Sequence, residues 1–390
     1  MPYEDLARFF AAAPRLFATS PLYGRLGAVV AADERLLAIA AEARPGQVPT
    51  NLLFAAVHYL LLRDPSHELA AWYPTTGAER APERDPGPAF TDFCLGRRAE
   101  LVALMRGRLV QTNVVKRATA LRLGLAAIAR LTERSEGVEG AAPTSRPSEG
   151  PMTERSEGVE GAAPTSRPSE GPLIDEPVTL IEVGCSAGLL LRFDEYRHDL
   201  GGRTWGSPAS PVEIRTRWRG AGPAPDLGPL PAIADRVGID LHPVDVTDPD
   251  ERLWLRALIW PENRAQADLQ DAALRVVAAD PPRTVAGDVV EVLPRVVADV
   301  PAGTPVVVFH AATRLHVAED RRARFDEVIA AVGRTHRLFH LSLEGAREFD
   351  PLCFAVRLRH GDGAERLLAL ADGHVEWIAG PEDGPPREDD

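Results

Sequence analysis

Residues 132–151 read TERSEGVEGAAPTSRPSEGP, and after Met152 the same twenty residues return at 153–172. A unit made of Ser, Glu, Gly, Pro, Thr and Arg, with hardly an apolar side chain, cannot bury enough surface to offset the entropy of ordering its backbone. It should therefore be disordered rather than stack as a solenoid. The repeat divides the 390-residue chain into an N-terminal unit, 1–131, and a C-terminal unit, 177–380. The linker between them is 132–176, and 381–390 form a short polar tail. Two domains are also what this length leads one to expect.

Composition excludes several classes. A net charge of −13 argues against a nucleic-acid partner, since such binding is driven by clustered Lys and Arg releasing counterions from phosphates. No apolar run approaches the roughly 20 residues of a membrane span, so no membrane partner is expected. The first residues, MPYEDLARFF, carry acids where a secretory leader carries bases, which points to the cytoplasm. Cys94, Cys185 and Cys353 are odd in number and far apart, as reduced thiols would be; no His, Cys or Asp spacing suits a metal. A small molecule is the expected partner.

The two units differ in period. Before the repeat, apolar stripes at spacings of three and four predict helices over 20–31 behind Ser20, 33–42 opened by Asp33, 50–63 behind Thr50, and from Thr112 through Val114, Ala118, Leu121, Leu125 and Ile128. After the repeat, short apolar runs alternate with helical stretches: VTLIEV, RVGIDL, a helical 249–279, TVAGD, a helix over 289–299, PVVVFH, a helix over 318–332, and HRLFHLSLE. Such alternation predicts an α/β fold with a parallel sheet. The last segment, from Cys353, has Gly-Asp-Gly and Asp-Gly turns and predicts an antiparallel hairpin at the sheet edge. Five alternating units and a terminal hairpin make a Rossmann-like sheet of the type seen in S-adenosylmethionine methyltransferases, preceded by an all-α domain.

The first of these strands ends in Glu182-Val-Gly184-Cys-Ser186-Ala-Gly188. Small residues at a strand-to-helix turn let the backbone approach a ligand, and a helix starting there offers free N–H groups. The turn resembles the first motif of S-adenosylmethionine methyltransferases, an acid followed by glycines at alternate positions, with Ser186 in place of a glycine. The same residues satisfy the G-x-S-x-G elbow of serine hydrolases, but no strand lies upstream to supply oxyanion donors. Asp240 ends the next predicted strand, where a ribose-binding acid is expected, although 52 residues rather than about 20 separate it from Gly188. The stretch 199–231 should then be an inserted hairpin and loop over the sheet. Asp288 ends the third strand, where adenine would be contacted. His310 and Thr313 end the fourth, and Ser342 and Glu344 the fifth. His310 is the candidate general base; Thr313 and Glu344 are candidate acceptor-side residues.

The segments EVGCSAG, RVGIDLHPVD, WPENR at 260–264, VAGD, VVVFHAATR and QTNVVKR at 111–117 together resemble the bacterial domain-of-unknown-function family numbered 2332. The resemblance spans nearly all the chain outside the repeat. It implies a Rossmann-like methyltransferase fold with a helical N-terminal region, and no activity. The family pattern reads SAGLN where this chain has Leu190, and TNE where it has Val114. Asn113 and Arg117, four apart on a predicted helix, and Arg264 are expected to reach over the sheet edge as part of a lid and bind substrate.

The leading expectation is S-adenosylmethionine bound by Glu182, Gly184, Ser186, Gly188, Asp240 and Asp288, with methyl transfer to a small molecule between the two units, assisted by His310. No Asn/Asp-Pro-Pro-Tyr element follows the fourth strand, which excludes the amino-group methylases that use it. The alternatives are a binding or regulatory protein that keeps the fold without catalysis, and a serine hydrolase.

Overall fold

The computed structural model describes residues 3–17, 19–78, 81–136, 176–361 and 363–384. Most of the repeat and the last six residues lie outside these, and the expectation of disorder there with them. The N-terminal half carries α1 (Tyr3–Ala11), α2 (Ala13–Leu16), α3 (Pro21–Ala32), α4 (Glu34–Ala40), α5 (Pro49–Arg63), α6 (Gly87–Gly96), α7 (Arg98–Gly107) and α8 (Arg117–Glu136). Local chemistry sets the starts. Ser20 Oγ accepts from Tyr23 N at 3.2 Å, with Pro21 in the first turn of α3. Asp33 likewise accepts from Arg35 N and opens α4. Both devices satisfy amide groups that a helix start leaves free.

Helix α5 is buried from Leu52 to Leu61 without a polar face, so it is the central rod of the helical layer. Phe54 lies at its middle, stacked on Tyr23 with centroids 4.5 Å apart and edge-on to Phe10, Phe17 and Phe90. Truncating Phe54 to Ala is expected to lower the unfolding free energy by about 3–5 kcal/mol. Urea unfolding measures it; a loss below about 1 kcal/mol would mean that this ring cluster is not the packed centre of the layer.

The C-terminal half is an α/β unit on one mixed sheet of eleven strands, β1 (Val178–Val183), β2 (Arg197–Leu200), β3 (Arg203–Trp205), β4 (Glu213–Trp218), β5 (Ile233–Asp240), β6 (Arg283–Ala286), β7 (Val306–Ala311), β8 (Leu338–Gly345), β9 (Cys353–His360), β10 (Arg366–Asp372) and β11 (Trp377–Ala379). Their spatial order is β3-β2-β4-β11-β10-β9-β8-β7-β1-β5-β6. The block β6-β5-β1-β7-β8 is parallel throughout, and its order reverses between β1 and β7, which opens a crevice at the carboxyl ends of those strands. Between the strands run α9 (Pro249–Ala257), α10 (Arg264–Ala279), α11 (Val289–Ala298) and α12 (Glu319–Ala331). Alternate residues of β1 serve opposite layers: Leu180 packs with α8 and α10, Ile181 and Val183 with α11 and α12. Burial on both faces explains why these strands read as unbroken apolar runs.

Several expectations need correcting. Helix α8 begins at Arg117, and residues 108–114 form no regular element; Thr112 therefore caps nothing, and Asn113 and Arg117 do not share a helical face. The β1-to-β5 crossover has no α-helix after the glycine turn. A kinked 3-10 segment, Leu189–Glu195, stands there, so the expected N–H groups of a starting helix are missing. Helix α8 covers that face instead, against the 3-10 segment, β8 and β9. A Cβ on Gly124 would come within 2.3 Å of the Leu341 side chain, so α8 lies close on β8 there. The helical half thus does not close on itself at residue 131, because its last helix belongs to the core of the sheet. The inserted stretch does not lie over the sheet but extends it. β2 pairs with β3 and β4, and β4 joins β11 through Trp377 and Ile378. The terminal strands β9–β11 are antiparallel as expected but sit inside the sheet, since the free edge of β11 is taken by β4.

The two halves are locked together through α9 and the WPENR segment. Tyr59 and Arg108 both bind Asp250, Trp254 Nε1 donates to Leu109 O at 2.8 Å, and the Trp260 ring packs edge-on against Phe17. Glu262 accepts from Ser20 Oγ at 2.7 Å and Leu22 N at 3.0 Å, at the start of α3.

Candidate functional site

At the carboxyl end of β1 the chain turns through three left-handed residues, Gly184 (φ +77°), Ser186 (φ +47°) and Gly188 (φ +66°). The side chains around the turn hold it in place. Asp240 Oδ2 accepts from Ser186 N at 2.8 Å, and its Oδ1 accepts from His242 N. Asn113 Nδ2 donates to Ser186 Oγ at 3.0 Å, and Asn113 Oδ1 faces Ala187 N. Thr313 donates its hydroxyl to Val183 O at 3.1 Å and fills the space a Cβ on Gly184 would need. The segment 111–113 lies across the turn, with Gln111 Nε2 bonded to His242 O.

Glu182, just before the turn, is buried, and its Oε2 has no partner among the described residues. Burial, reinforced by the nearby Asp240 charge and opposed by Arg117, pushes its carboxyl well above the usual range. Removing an ionised carboxylate from water is costly, and protonation is the ordinary response. Arg117 is lowered to about 10 by burial, against the attraction of Glu344, Asp372 and Glu182. Its guanidinium donates to Gly373 O at 3.1 Å and Ala311 O at 3.3 Å. Burial likewise raises Cys185, so the thiol is not a nucleophile.

A buried chain of hydrogen bonds runs behind β7. His310 Nδ1 lies 2.6 Å from Glu344 Oε1, and His310 Nε2 lies 2.9 Å from His340 Nε2. Glu344 Oε1 also accepts from Thr313 N and Arg314 N. Burial would raise the Glu344 carboxyl, but the bond from His310 and the two backbone donors outweigh it, and the net shift is downward. Burial, with His310 and Arg359 near, holds His340 well below its ordinary value. A neutral His340 donates from Nε2 to His310 Nε2, and His310 then donates from Nδ1 to the Glu344 carboxylate. Glu344 also orders the backbone of residues 313–314, which carries Thr313 to the turn.

Glu182, Gly184, Ser186, Gly188, Asp240, Asn113 and Thr313 therefore gather around one turn, with His310, Glu344 and Arg117 beneath it. Two expected residues are engaged elsewhere. Asp288 caps α11 through Val290 N and pairs with Arg321 at 2.6 Å. Arg264 bonds Pro74 O at 2.8 Å and Ala78 O, clasping the loop before α6. Leu190 and Val114, the two departures from the family pattern, are both buried, where an Asn or Glu side chain would lack water.

A cavity of ≈ 220 Å³ opens beside Asn113, between the helical layer and α9–α10. Its lining includes Gln266 and Gln270 of α10, which sequence reasoning passed over because Gln on an amphipathic helix reads as surface. His340 was missed as well, since a histidine inside an apolar strand carries no spacing signal. Among the described residues no group of three His, Cys, Asp or Glu is placed to hold a metal ion, and no helix is long and apolar enough to cross a membrane.

The model of a family described as "Uncharacterized protein conserved in bacteria (DUF2332)" matches residues 6–137 and 171–379, and the gap between the two segments falls within the tandem repeat. No curated protein matches the chain, and no solved structure does.

Proposed function

From the premise that this chain belongs to the DUF2332 family of uncharacterised bacterial proteins, we propose that it binds S-adenosylmethionine at the glycine turn and transfers the methyl group to a small molecule. The observation that carries this reading is Glu182. It is a buried carboxyl with an unpartnered oxygen, immediately before a left-handed turn at the crevice where open α/β sheets take ligands. An orphaned buried acceptor is stabilised when a ligand brings a donor to it, and the cofactor's ammonium is such a donor. Gly184, Ser186 and Gly188 would present backbone, and Asp240 and Asn113 would fix the turn's shape. The cofactor would supply an activated methyl on sulfonium. The chain's contribution would be positioning of the acceptor rather than proton transfer, because both His310 nitrogens are already bonded.

That engagement of His310 favours a second reading, a binding protein without turnover. The hydrolase reading loses support: the Ser186 hydroxyl faces the Asn113 amide, and no histidine is bonded to it among the described residues, so it lacks the base a nucleophile requires. The test is a Gly188→Val, Asp240→Asn double variant. S-adenosylhomocysteine affinity is expected to fall at least a hundredfold with the fold retained by circular dichroism; unchanged affinity would remove the turn from the site.

A further inference from the structure

The cavity beside Asn113 has a chemistry of its own. Six carboxamides line it: Asn51, Gln111, Asn113, Asn263, Gln266 and Gln270. Gln111 is bonded to His242 O, Asn113 to the glycine turn and Asn51 to Thr50, which leaves Asn263, Gln266 and Gln270 to present a donor and an acceptor side by side, the pattern that reads the edge of a nucleobase. Three aromatic rings, Phe17, Tyr23 and Trp260, share the lining, with Phe17 edge-on to both of the others. Aromatic faces are the usual platform for a base. No Asp, Glu, Lys or Arg is among the lining residues, and burial, with Arg117 near, holds the lining His374 below its ordinary value, so a phosphate or a fixed charge would enter without a counter-ion.

Gln270 supplies the independent sign of a ligand. Its side chain is 1% exposed, and its Nε2 has no hydrogen-bond partner among the described residues. Buried donors are nearly always satisfied, and an unsatisfied one on a residue that lines a cavity points to a partner that the chain does not itself provide. Asn263, first residue before α10, likewise makes no side-chain cap bond. The volume corresponds to about seven waters at about 30 Å³ each, which is room for a ring system and too little for an extended dinucleotide.

We propose that this cavity is a binding site for an uncharged nucleoside or free nucleobase, held by the carboxamides of Asn263, Gln266 and Gln270 against the Phe17–Trp260 wall. It meets the glycine turn through the 111–113 segment and stands independently of the cofactor proposed there. The test is calorimetry on the full chain with adenosine, guanosine, cytidine and uridine in turn, each beside its 5′-monophosphate. At least one nucleoside is expected to bind with a Kd below about 1 mM, and its monophosphate at least tenfold more weakly. Gln270→Met, which keeps the volume and removes the orphaned donor, is expected to weaken the nucleoside at least tenfold while leaving Tm unchanged or higher. Should that variant lose stability, Gln266→Met carries the same affinity test. Absence of binding by all four nucleosides overturns the proposal, as does a monophosphate bound equally well. A nucleoside displaced by S-adenosylhomocysteine and lost in the Gly188→Val, Asp240→Asn variant overturns it too, since the binding would then belong to the turn.

Discussion

Lowering the pH from 6.5 to 5 is expected to remove about 3–5 kcal/mol of folding stability. Burial holds His58 and His198 at about 4, and burial, with His310 beside it, holds His340 well below 6.5. All three are neutral in the fold, and their ring nitrogens are bonded to Ala257 O and Thr75, to Phe193 O and Thr119, and to His310. Unfolded, each titrates near 6.5. Because their folded pKa values are depressed, the unfolded chain takes up more protons in this window, and stability falls as pH falls. Glu182 has the opposite sign. Its folded pKa is raised, so acidification through that pKa relieves a cost and offsets part of the loss. Each unfolded imidazole is half protonated at pH 6.5 and almost fully so at pH 5, so the three take up about 2.4 protons on average over 1.5 pH units, which at about 1.36 kcal/mol per proton per unit is about 5 kcal/mol before the Glu182 offset. Glu344, lowered in the fold, contributes its stability above the unfolded carboxylate range and loses it only as pH falls through its folded pKa, below this window. Urea unfolding at pH 7, 6 and 5 measures the slope, and a midpoint that stays constant would contradict the burial of these imidazoles.

Gly184→Val is the second large effect. At φ +77° a β-branched residue is strained by about 1–3 kcal/mol. Its Cβ would also stand 2.4 Å from Thr313 Oγ1 and 2.5 Å from its methyl, while Thr313 is tied to Val183 O and Glu344. Overpacking adds about 1–3 kcal/mol, so a total near 4 kcal/mol is expected, together with loss of cofactor binding. The interaction is separable. In a Gly184→Val, Thr313→Ala double variant the overpacking part should be recovered and the strain should remain, a coupling of at least about 1 kcal/mol. Strict additivity in thermal or urea unfolding would mean that Thr313 does not fill the space beside the turn.

What could be read from sequence followed from period and local chemistry. VTLIEV and PVVVFH became β1 and β7 because strands buried on both faces carry unbroken apolar runs, and Ser20 and Asp33 opened α3 and α4 because capping is a short-range hydrogen bond. Tertiary demands hid the rest. Val114 continues the apolar period of α8, yet residues 111–114 are drawn out, with Gln111 bonded to His242 O and Asn113 to the glycine turn. No local rule announces that α8, from the first half, replaces the helix of the β1–β5 crossover, or that β4 pairs with β11. At the site, Glu182, Ser186 and Asp240 were legible because strand ends and glycine spacing mark a ligand edge. Asp288 carried the same mark but serves as a cap with Arg321 as partner. Gln270 and His340 carried none.

Cofactor binding at the Glu182–Gly188 turn is tested most directly by calorimetric titration of the purified full chain with S-adenosylhomocysteine, with NADH as the control. Saturable one-to-one binding in the micromolar range, with no heat from NADH, is the predicted result; an empty titration with S-adenosylhomocysteine, or equal binding of NADH, would contradict it.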